Sequence, residues 1–525
     1  MSEVHAPPAP GRAELDLSEG RRLAIFAVFS LGQLLALLDI QIVAGALQPI
    51  QAGLSAGPDE IPWVQTSYLM AEIVMIPLAA FLARVVSTRW LFTASAALFT
   101  LASLACGAAQ DIETMIVFRA LQGFVGGAMV PTVFAVTYLL FEGRRLALMS
   151  ALLGMLSTLA PALGPSVGGW ITEAVGWRWL FFINVAPGLL IVVALPLLGK
   201  VDDGRPELLG RIDWLHAASL AVFLGGLQYV LEEGPRQGWL DDPVIATAAL
   251  VSVTGAVVFM ERCRGSAAPI VDLAPFARPR FALACLLNLV VGFGLYSTIY
   301  LTPVFLGAVR DFTSLQIGGV VFVSGLFMAL GAPVASRLLA LVDGRFVLAI
   351  GFALFALFLW LYAAITPEWG YAELFFPQAV RGLAILMCIL PAIAMALEGV
   401  PADGLHNASG LFNLMRNLGG AIGIALANTW LMDFARWHGL RLSEDLGAAP
   451  DRAQAMLEGL AGRAAAEIGD PAQALAVAQA QLARLVELEA LTQAFADIFR
   501  LMAWVFVAAL AIVPFCRVPR TGADA

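Results

Sequence analysis

The sequence predicts an all-α integral membrane protein, and three observations carry that prediction. Of its 525 residues 60% are hydrophobic and 13% charged, with a mean hydropathy of +0.84. A soluble chain is about 25% charged and under half apolar, and needs that charge to cover its surface. About fourteen apolar runs follow one another, each near the roughly 20 residues that cross a hydrocarbon core as a helix. Backbone groups facing lipid must be satisfied within their own segment, so these runs are helices and not open strands. The basic residues fall between the runs on one side, as cytoplasmic loops require.

The elements follow in order. Residues 1–22 (MSEVHAPPAPGRAELDLSEGRR) are polar, Pro-rich and without a signal-peptide pattern, and read as a short disordered cytoplasmic tail. The apolar runs cover 24–46, 62–82, 90–109, 113–138, 148–170, 179–198, 213–231, 243–261, 282–305, 315–337, 346–366, 373–396, 409–431 and 494–515. With the N-terminus inside, the inner segments collect Arg12, Arg21, Arg22, Arg84, Arg89, Arg144, Arg145, Lys200, Arg205, Arg211, Arg262, Arg264, Arg278, Arg280, Arg337, Arg345, Arg517 and Arg520. The short outer loops hold only Arg178, Arg236 and Arg310. This predicts both termini in the cytoplasm. One outer connection, 432–493, is long and rich in Ala, Gln, Leu and Glu; Asp470-Pro471 reads as an N-cap and first-turn proline that opens a helix running into the last span. It is either a solvated surface helix or a docking surface for a periplasmic partner.

Several function classes are excluded. The net charge of −9, with 30 basic residues spread over the chain, argues against nucleic-acid binding. The five cysteines and four histidines show no metal-ligand or disulfide spacing. No H-E-x-x-H and no G-x-x-x-x-G-K-[ST] is present, and the lone lysine, Lys200, reads G-K-V. No enzyme, metal site or cofactor is expected.

Ionisable residues inside the runs are functional candidates because a charge in the bilayer is costly. Asp39 lies roughly 23 Å from the cytoplasmic edge and Arg119 roughly 9 Å in from the outside, counting 1.5 Å per residue. They share a depth and pair if their helices are neighbours. Glu72 falls near the midplane in apolar surroundings that favour an uncharged carboxyl; it is either a proton carrier or a neutral group bonded to a neighbouring helix. Arg381 and Arg416 are similar cases, open between structural pairing and substrate contact.

Further motifs support a resemblance. RALQGFVGGAMVP (119–131) resembles the helix-4 R-x-x-Q-G-x-x-G-A motif of major facilitator superfamily antiporters, and APALGPSVGGW (160–170) their helix-5 G-x-x-x-G-P-x-x-G-G motif. LLDIQIVAGALQPI (37–50) is similar to the helix-1 L-D-x-T-I-V-N-x-A-L-P motif of the fourteen-helix drug:proton antiporters; WVQTSYLM (63–70), LFFINVAPG (180–188) and PIVDLAPF (269–276) extend the likeness. The resemblance is to the EmrB/QacA subfamily, nearer its EmrB branch by the long outer loop. Departures are Ala160 for the first helix-5 glycine, Gln41 and Ala44 in helix 1, and AFLARVVSTR (80–89) for the loop motif G-x-L-A-D-R-x-G-R-K, where Arg84 takes the place of the aspartate. That last change undermines any gate built on the aspartate.

The resemblance implies the major facilitator fold: two six-helix bundles, 23–200 and 266–525, joined by two linker helices within 201–265, in a bacterial inner membrane. It implies proton-coupled efflux of hydrophobic or amphipathic compounds by alternating access. Asp39 and Glu72 are then the protonatable groups and Arg119 the charge that tunes them, supported by Gln122 and Gly123. Gly164, Pro165, Gly168 and Gly169 form a smooth, bent helix suited to the seam between bundles. Gln33, Gln41, Gln378, Arg381, Arg416, Phe293 and Phe305 are substrate-path candidates. Substrates, protons and lipid are the expected partners, with a periplasmic adaptor and an outer-membrane channel if the EmrB likeness extends so far. Two alternatives remain: a dedicated exporter of one endogenous metabolite or lipid-like acid, and a transport-inactive scaffold. A short echo, Arg119-x-x-Gln122-Gly123 against Gln378-x-x-Arg381-Gly382, hints at duplication.

Overall fold

Apolar runs become helices where a capping group and the absence of water leave the backbone no other partner. In a computed structural model, residues 17–44, 46–57, 60–211, 213–265, 269–401, 404–448, 450–468 and 470–516 are described; most of the 1–22 tail and some helical side chains, Pro165 among them, lie outside the described residues. The helices are α1 (Glu19–Ala44), α2 (Leu47–Leu54), α3 (Trp63–Val86), α4 (Thr88–Ala108), α5 (Ile112–Gly126), α6 (Met129–Leu140), α7 (Gly143–Val175), α8 (Trp179–Phe182) and α9 (Val185–Leu198). They continue as α10 (Trp214–Gln237), α11 (Pro243–Gly265), α12 (Pro279–Ala308), α13 (Ser314–Leu341), α14 (Gly344–Tyr362), α15 (Tyr371–Leu397), α16 (Leu405–Ala448), α17 (Pro450–Ile468) and α18 (Pro471–Leu510).

Side-chain caps set many of the starts. Asp111 accepts from the Thr114 N–H at 2.8 Å, Asp213 from His216 at 3.1 Å, and Asp470 from Ala472 at 3.0 Å. Thr313 and Gln316 form a reciprocal capping box on α13. Thirteen helices among the described residues are long and apolar enough to cross a membrane. The remaining expected run, 148–170, lies in α7, some of whose side chains are not described.

Two runs differ from expectation. The fourth breaks between α5 and α6 at Gly127–Ala128. Pro131 has no N–H to return to the Gly127 carbonyl one turn back, and adjacent glycines hold the ladder weakly there. The 432–493 connection is not a loop with one helix: α16 runs 44 residues without interruption, roughly 66 Å at 1.5 Å per residue and about twice a hydrocarbon core. The helix opened by Asp470-Pro471 is present as α18, with α17 packed on it and on α16; at 40 residues α18, like α16, is longer than a hydrocarbon core requires.

Packing follows small residues. Along α5, Arg119, Gly123 and Gly127 recur every four residues and meet a matching row on α3. Arg119 Nε donates to the Val64 carbonyl at 3.0 Å, and a Cβ on Gly123 or Gly127 would lie 2.2 Å from the Tyr68 carbonyl or 2.5 Å from that of Glu72. Such small-xxx-small faces let backbones touch where lipid supplies no hydrophobic drive. Gly164 and Gly168 of α7 do the same against Gln41 and Ile42 of α1; in the C-terminal half Gly419 and Gly423 of α16 meet Leu289 and Phe293 of α12.

This places the helix-5 glycines differently from expectation. Gly164 and Gly168 face α1 within their own half and not the seam. Across the halves, α7 packs on α13 and α3 on α16, with Gly154 against Leu386 and Gly410 near Ala80.

Candidate functional site

Asp39 enters the N-terminal half from α1 with no exposure, and side chains from α5 and from the α8–α9 junction reach it. Arg119 Nη1 from α5 lies 2.6 Å from its Oδ2. Gln122 Nε2, one turn along α5, donates to Oδ1 at 3.0 Å. Asn184, between α8 and α9, donates to the same oxygen at 2.6 Å. Ser103 of α4 accepts from Gln122 at 2.7 Å and from Asn184 at 3.2 Å. Gln122 Oε1 in turn accepts from Arg119 Nη1 at 2.7 Å, and the guanidinium lies 4.3 Å from the Tyr68 ring centroid. Buried charges persist only when paired and hydrogen-bonded. Here the carboxylate is saturated, so its charge is held in place rather than offered to solvent.

The C-terminal half repeats this cluster without the carboxylate. Arg381 Nη1 donates to Gln378 Oε1 at 3.3 Å, and Gln378 Nε2 to the Tyr362 hydroxyl at 2.6 Å. Tyr362 comes from α14, as Ser103 comes from α4. Gly382 packs on the Ser324 carbonyl of α13 as Gly123 packs on α3. The echo read in the sequence is thus an echo in space. No carboxylate pairs with Arg381 among the described residues.

Between the halves lies a cavity of about 130 Å³. Its polar lining comprises Gln41, Gln65, Glu72, Ser157, Gln228, Glu232, Tyr296, Arg416 and Asn417, with apolar walls from Leu37, Ile40, Leu69, Ile73, Ile76, Val130 and Ile424. Glu72 makes no hydrogen bond or ion pair among the described residues, and stands within electrostatic reach of Arg119 and Asp39. The α5–α6 break rests on the Glu72 backbone through Gly127. Arg416 Nη2 donates to Asn413 at 2.8 Å, and its guanidinium lies 5.6 Å from the ring centroid of Phe134, on α6 of the other half. That is a cation–π contact across the seam.

Of the candidates named from sequence, Glu72, Gln41 and Arg416 line the cavity, and Asp39, Arg119 and Gln122 form the adjoining cluster. Gln33 bonds Ser157 at 2.7 Å and ties α1 to α7. Gln378 and Arg381 are buried in the C-terminal cluster. Gly169 is half-buried on α7. Phe293 and Phe305 are not brought to the cavity: Phe305 stacks edge-on to Phe495 at 5.4 Å, and Phe293 packs its backbone against Gly423. Their aromatic area serves core packing.

Sequence reading missed Asn184, Ser103, Tyr296, Gln228 and Glu232. Asn184 lies in LFFINVAPG, where an asparagine inside an apolar run was the available signal. Glu232 escaped because the apolar run stops at 231 while the helix continues to Gln237.

At the end of the bundle where α1 begins, Thr88 opens α4 and donates its backbone N–H to Asp202 at 2.8 Å. Its hydroxyl contacts the same carboxylate and lies 2.9 Å from His406 Nε2 on α16. A carboxylate from the segment after α9 therefore stands beside the loop whose own motif aspartate is Arg84, and Thr88 links the two halves.

This arrangement of paired half-bundles with a charge cluster and a central cavity has known counterparts. Residues 29–424 match the family model of the Major Facilitator Superfamily. The chain belongs to that superfamily. Over 480 residues it is 38% identical to the colistin resistance protein EmrB of Acinetobacter baumannii, covering 91% of this chain and 93% of that protein. It is 28% identical to the multidrug export protein EmrB of Escherichia coli K12 over 95% of this chain and 96% of that one. These relatives place it in the superfamily's multidrug-resistance-associated, EmrB/QacA-like branch. Among solved structures it resembles the human organic anion transporter MFSD10, with TM-score 0.55 and 14% identity over 92% of this chain and 99% of that one. The nucleoside transporter NupG gives TM-score 0.52 and 13% identity over 93% and 99%. At such identities the two structures speak for the superfamily fold alone. The protein is a multi-pass membrane transporter of the alternating-access type that defines this superfamily.

Proposed function

We propose that the protein is a fourteen-helix drug:proton antiporter of the bacterial inner membrane that expels hydrophobic or amphipathic compounds. Its bundles are 23–200 and 266–525, its linker pair lies within 201–265, and both termini are cytoplasmic. The observation that carries the reading is Glu72: a carboxylate without a hydrogen-bond partner among the described residues, set in a largely apolar cavity between the halves. A buried charge without a partner is costly, so such a group exchanges a proton as its surroundings change. Glu72 is the carrier. Asp39 and Arg119 are the charged assembly that senses it, since a rearrangement of one alters the field at the other. Gly123 and Gly127 pass helix movements of α5 and α6 directly to the turn that bears Glu72.

Apolar walls interrupted by four amides, two carboxylates and one guanidinium suit substrates recognised by character more than by shape. In this reading α17 and the adjoining ends of α16 and α18 project beyond the membrane and are the place for a periplasmic adaptor, and through it an outer-membrane channel. In proteoliposomes, an imposed pH gradient is expected to drive substrate transport by the wild type, and Glu72→Gln to abolish the gradient's effect. Asp39→Asn is expected to lose it as well; undiminished proton-coupled transport in that variant removes Asp39 from the mechanism. A resistance panel answering to a single lipid-like acid would favour a dedicated exporter instead.

A further inference from the structure

Helix α10 belongs to the segment that separates the bundles, and nothing in the reading above gives it a part in transport. Its position does. It packs on α3 from one half and on α16 from the other. Tyr229 stacks on Trp63 of α3 with centroids 5.6 Å apart, and Trp239, just beyond the helix, donates to Thr429 of α16 at 3.0 Å. Gln228 and Glu232, one turn apart, point from the same helix into the central cavity.

The adjacent glutamates of α10 have different fates. Glu233 is buried and engaged: Arg236 lies 3.4 Å from its Oε2, and Gln237 donates to the same oxygen at 3.4 Å. Glu232 makes no hydrogen bond or ion pair among the described residues; the charges of Glu233 and Arg236 act on it, and it acts on Tyr300 of α12. The cavity's lining therefore holds two carboxylates, Glu72 and Glu232, against one cation, Arg416. With both carboxylates ionised, the lining carries one uncompensated negative charge in apolar surroundings. Charges taken out of water must be balanced within the site. A proton on Glu72 balances it, and so does one positive charge on a bound molecule.

We infer that α10 is a wall of the transport cavity and that Glu232 sets its preference for amphipathic monocations. Arg416 balances only one of the two lining carboxylates, which leaves one negative charge to be met by either a proton or the cationic group of the substrate. Gln228 and the apolar walls hold the remainder of the molecule once the halves part and widen the cavity, which at about 130 Å³ is narrower in this conformation than a drug-sized site. This rests on the export reading above but makes a claim about binding that can be tested apart from transport.

The test is equilibrium binding of tetraphenylphosphonium, whose charge cannot be lost by deprotonation, to the full-length protein in detergent. Triphenylphosphine oxide, a neutral molecule of similar build, is measured alongside. Glu232→Gln is expected to weaken tetraphenylphosphonium at least tenfold and to leave the neutral probe within twofold. Glu232→Asp should keep the cation within threefold, and Glu233→Gln within twofold. If Glu232→Gln fails to fold, Gln228→Glu replaces it; a second carboxylate on the same face is expected to tighten the cation at least threefold. The inference is overturned if the wild type does not bind tetraphenylphosphonium, if Glu232→Gln binds it within twofold of wild type, if both probes are lost together, or if Gln228→Glu leaves it unchanged. Glu232-dependent binding without any pH-gradient-driven transport contradicts the antiport reading and not this inference.

Discussion

Arg119 Nη1 lies 2.6 Å from Asp39 Oδ2, with both side chains wholly shut off from solvent. Gln122 and Asn184 complete the carboxylate's shell. Removing one member of a buried pair strands the other, which costs about 3–5 kcal/mol, whereas removing both together with apolar replacement can be near neutral. Arg119→Met is therefore expected to lower the unfolding temperature in detergent far more than the Arg119→Met/Asp39→Leu double variant. Equal losses in the single and double variants would show that Asp39 is not stranded when Arg119 is removed. Transport is expected to be lost in both.

Asn184 reaches Asp39 from a different helix than Arg119, so it is a separate lever. A hydrogen bond to a charged group contributes about 1.5–3 kcal/mol. Asn184→Ala is predicted to reduce stability by that order and to slow transport without abolishing it. Asn184→Asp sets a second carboxylate against the first and is predicted to inactivate. Thermal unfolding and initial transport rates check both.

Gly123 leaves 2.2 Å between a would-be Cβ and the Tyr68 carbonyl, and Gly382 leaves 2.3 Å to that of Ser324. Overpacking costs about 1–3 kcal/mol. In each case the obstacle is backbone, so a helix must shift. Gly123→Ala and Gly382→Ala are each expected to destabilise and impair transport, while Gly307→Ala, with nothing within 4 Å, is silent in both measurements.

Thr88, Asp202 and His406 join the halves at one end of the bundle. Thr88→Val removes the hydroxyl that holds Asp202 and His406 together. In a background lacking the five native cysteines, a cysteine placed at Ser409, buried in the seam beside Pro131, should react faster with a maleimide when Thr88 is Val. An unchanged rate would show that other contacts hold this end closed.

The all-helical membrane class and the pairing of Asp39 with Arg119 were legible in the sequence because hydropathy and rise per residue are local properties. The helix-5 glycines were legible as close-packing sites, but not their partners: a small-residue face says that a backbone approaches and not which one, and Gly164 and Gly168 meet α1 instead of the seam. Phe293 and Phe305 illustrate the same limit, since an aromatic residue in a transmembrane run reads alike whether it faces a cavity or the core. Glu232 was hidden for a different reason. Hydropathy ends a helix at its first charges, whereas hydrogen bonding carries α10 on to Gln237, and the missed turn bears a carboxylate that lines the cavity.

In the antiport mechanism proposed for this chain, substrate and proton compete for the charge of Glu72. Substrate added to the purified protein in weakly buffered detergent, with a pH-sensitive dye, reads this directly. Proton release by the wild type is expected to saturate with substrate, and Glu72→Gln to release none although it still binds. Equal proton release from Glu72→Gln, or none from a wild type that binds substrate, would contradict that mechanism.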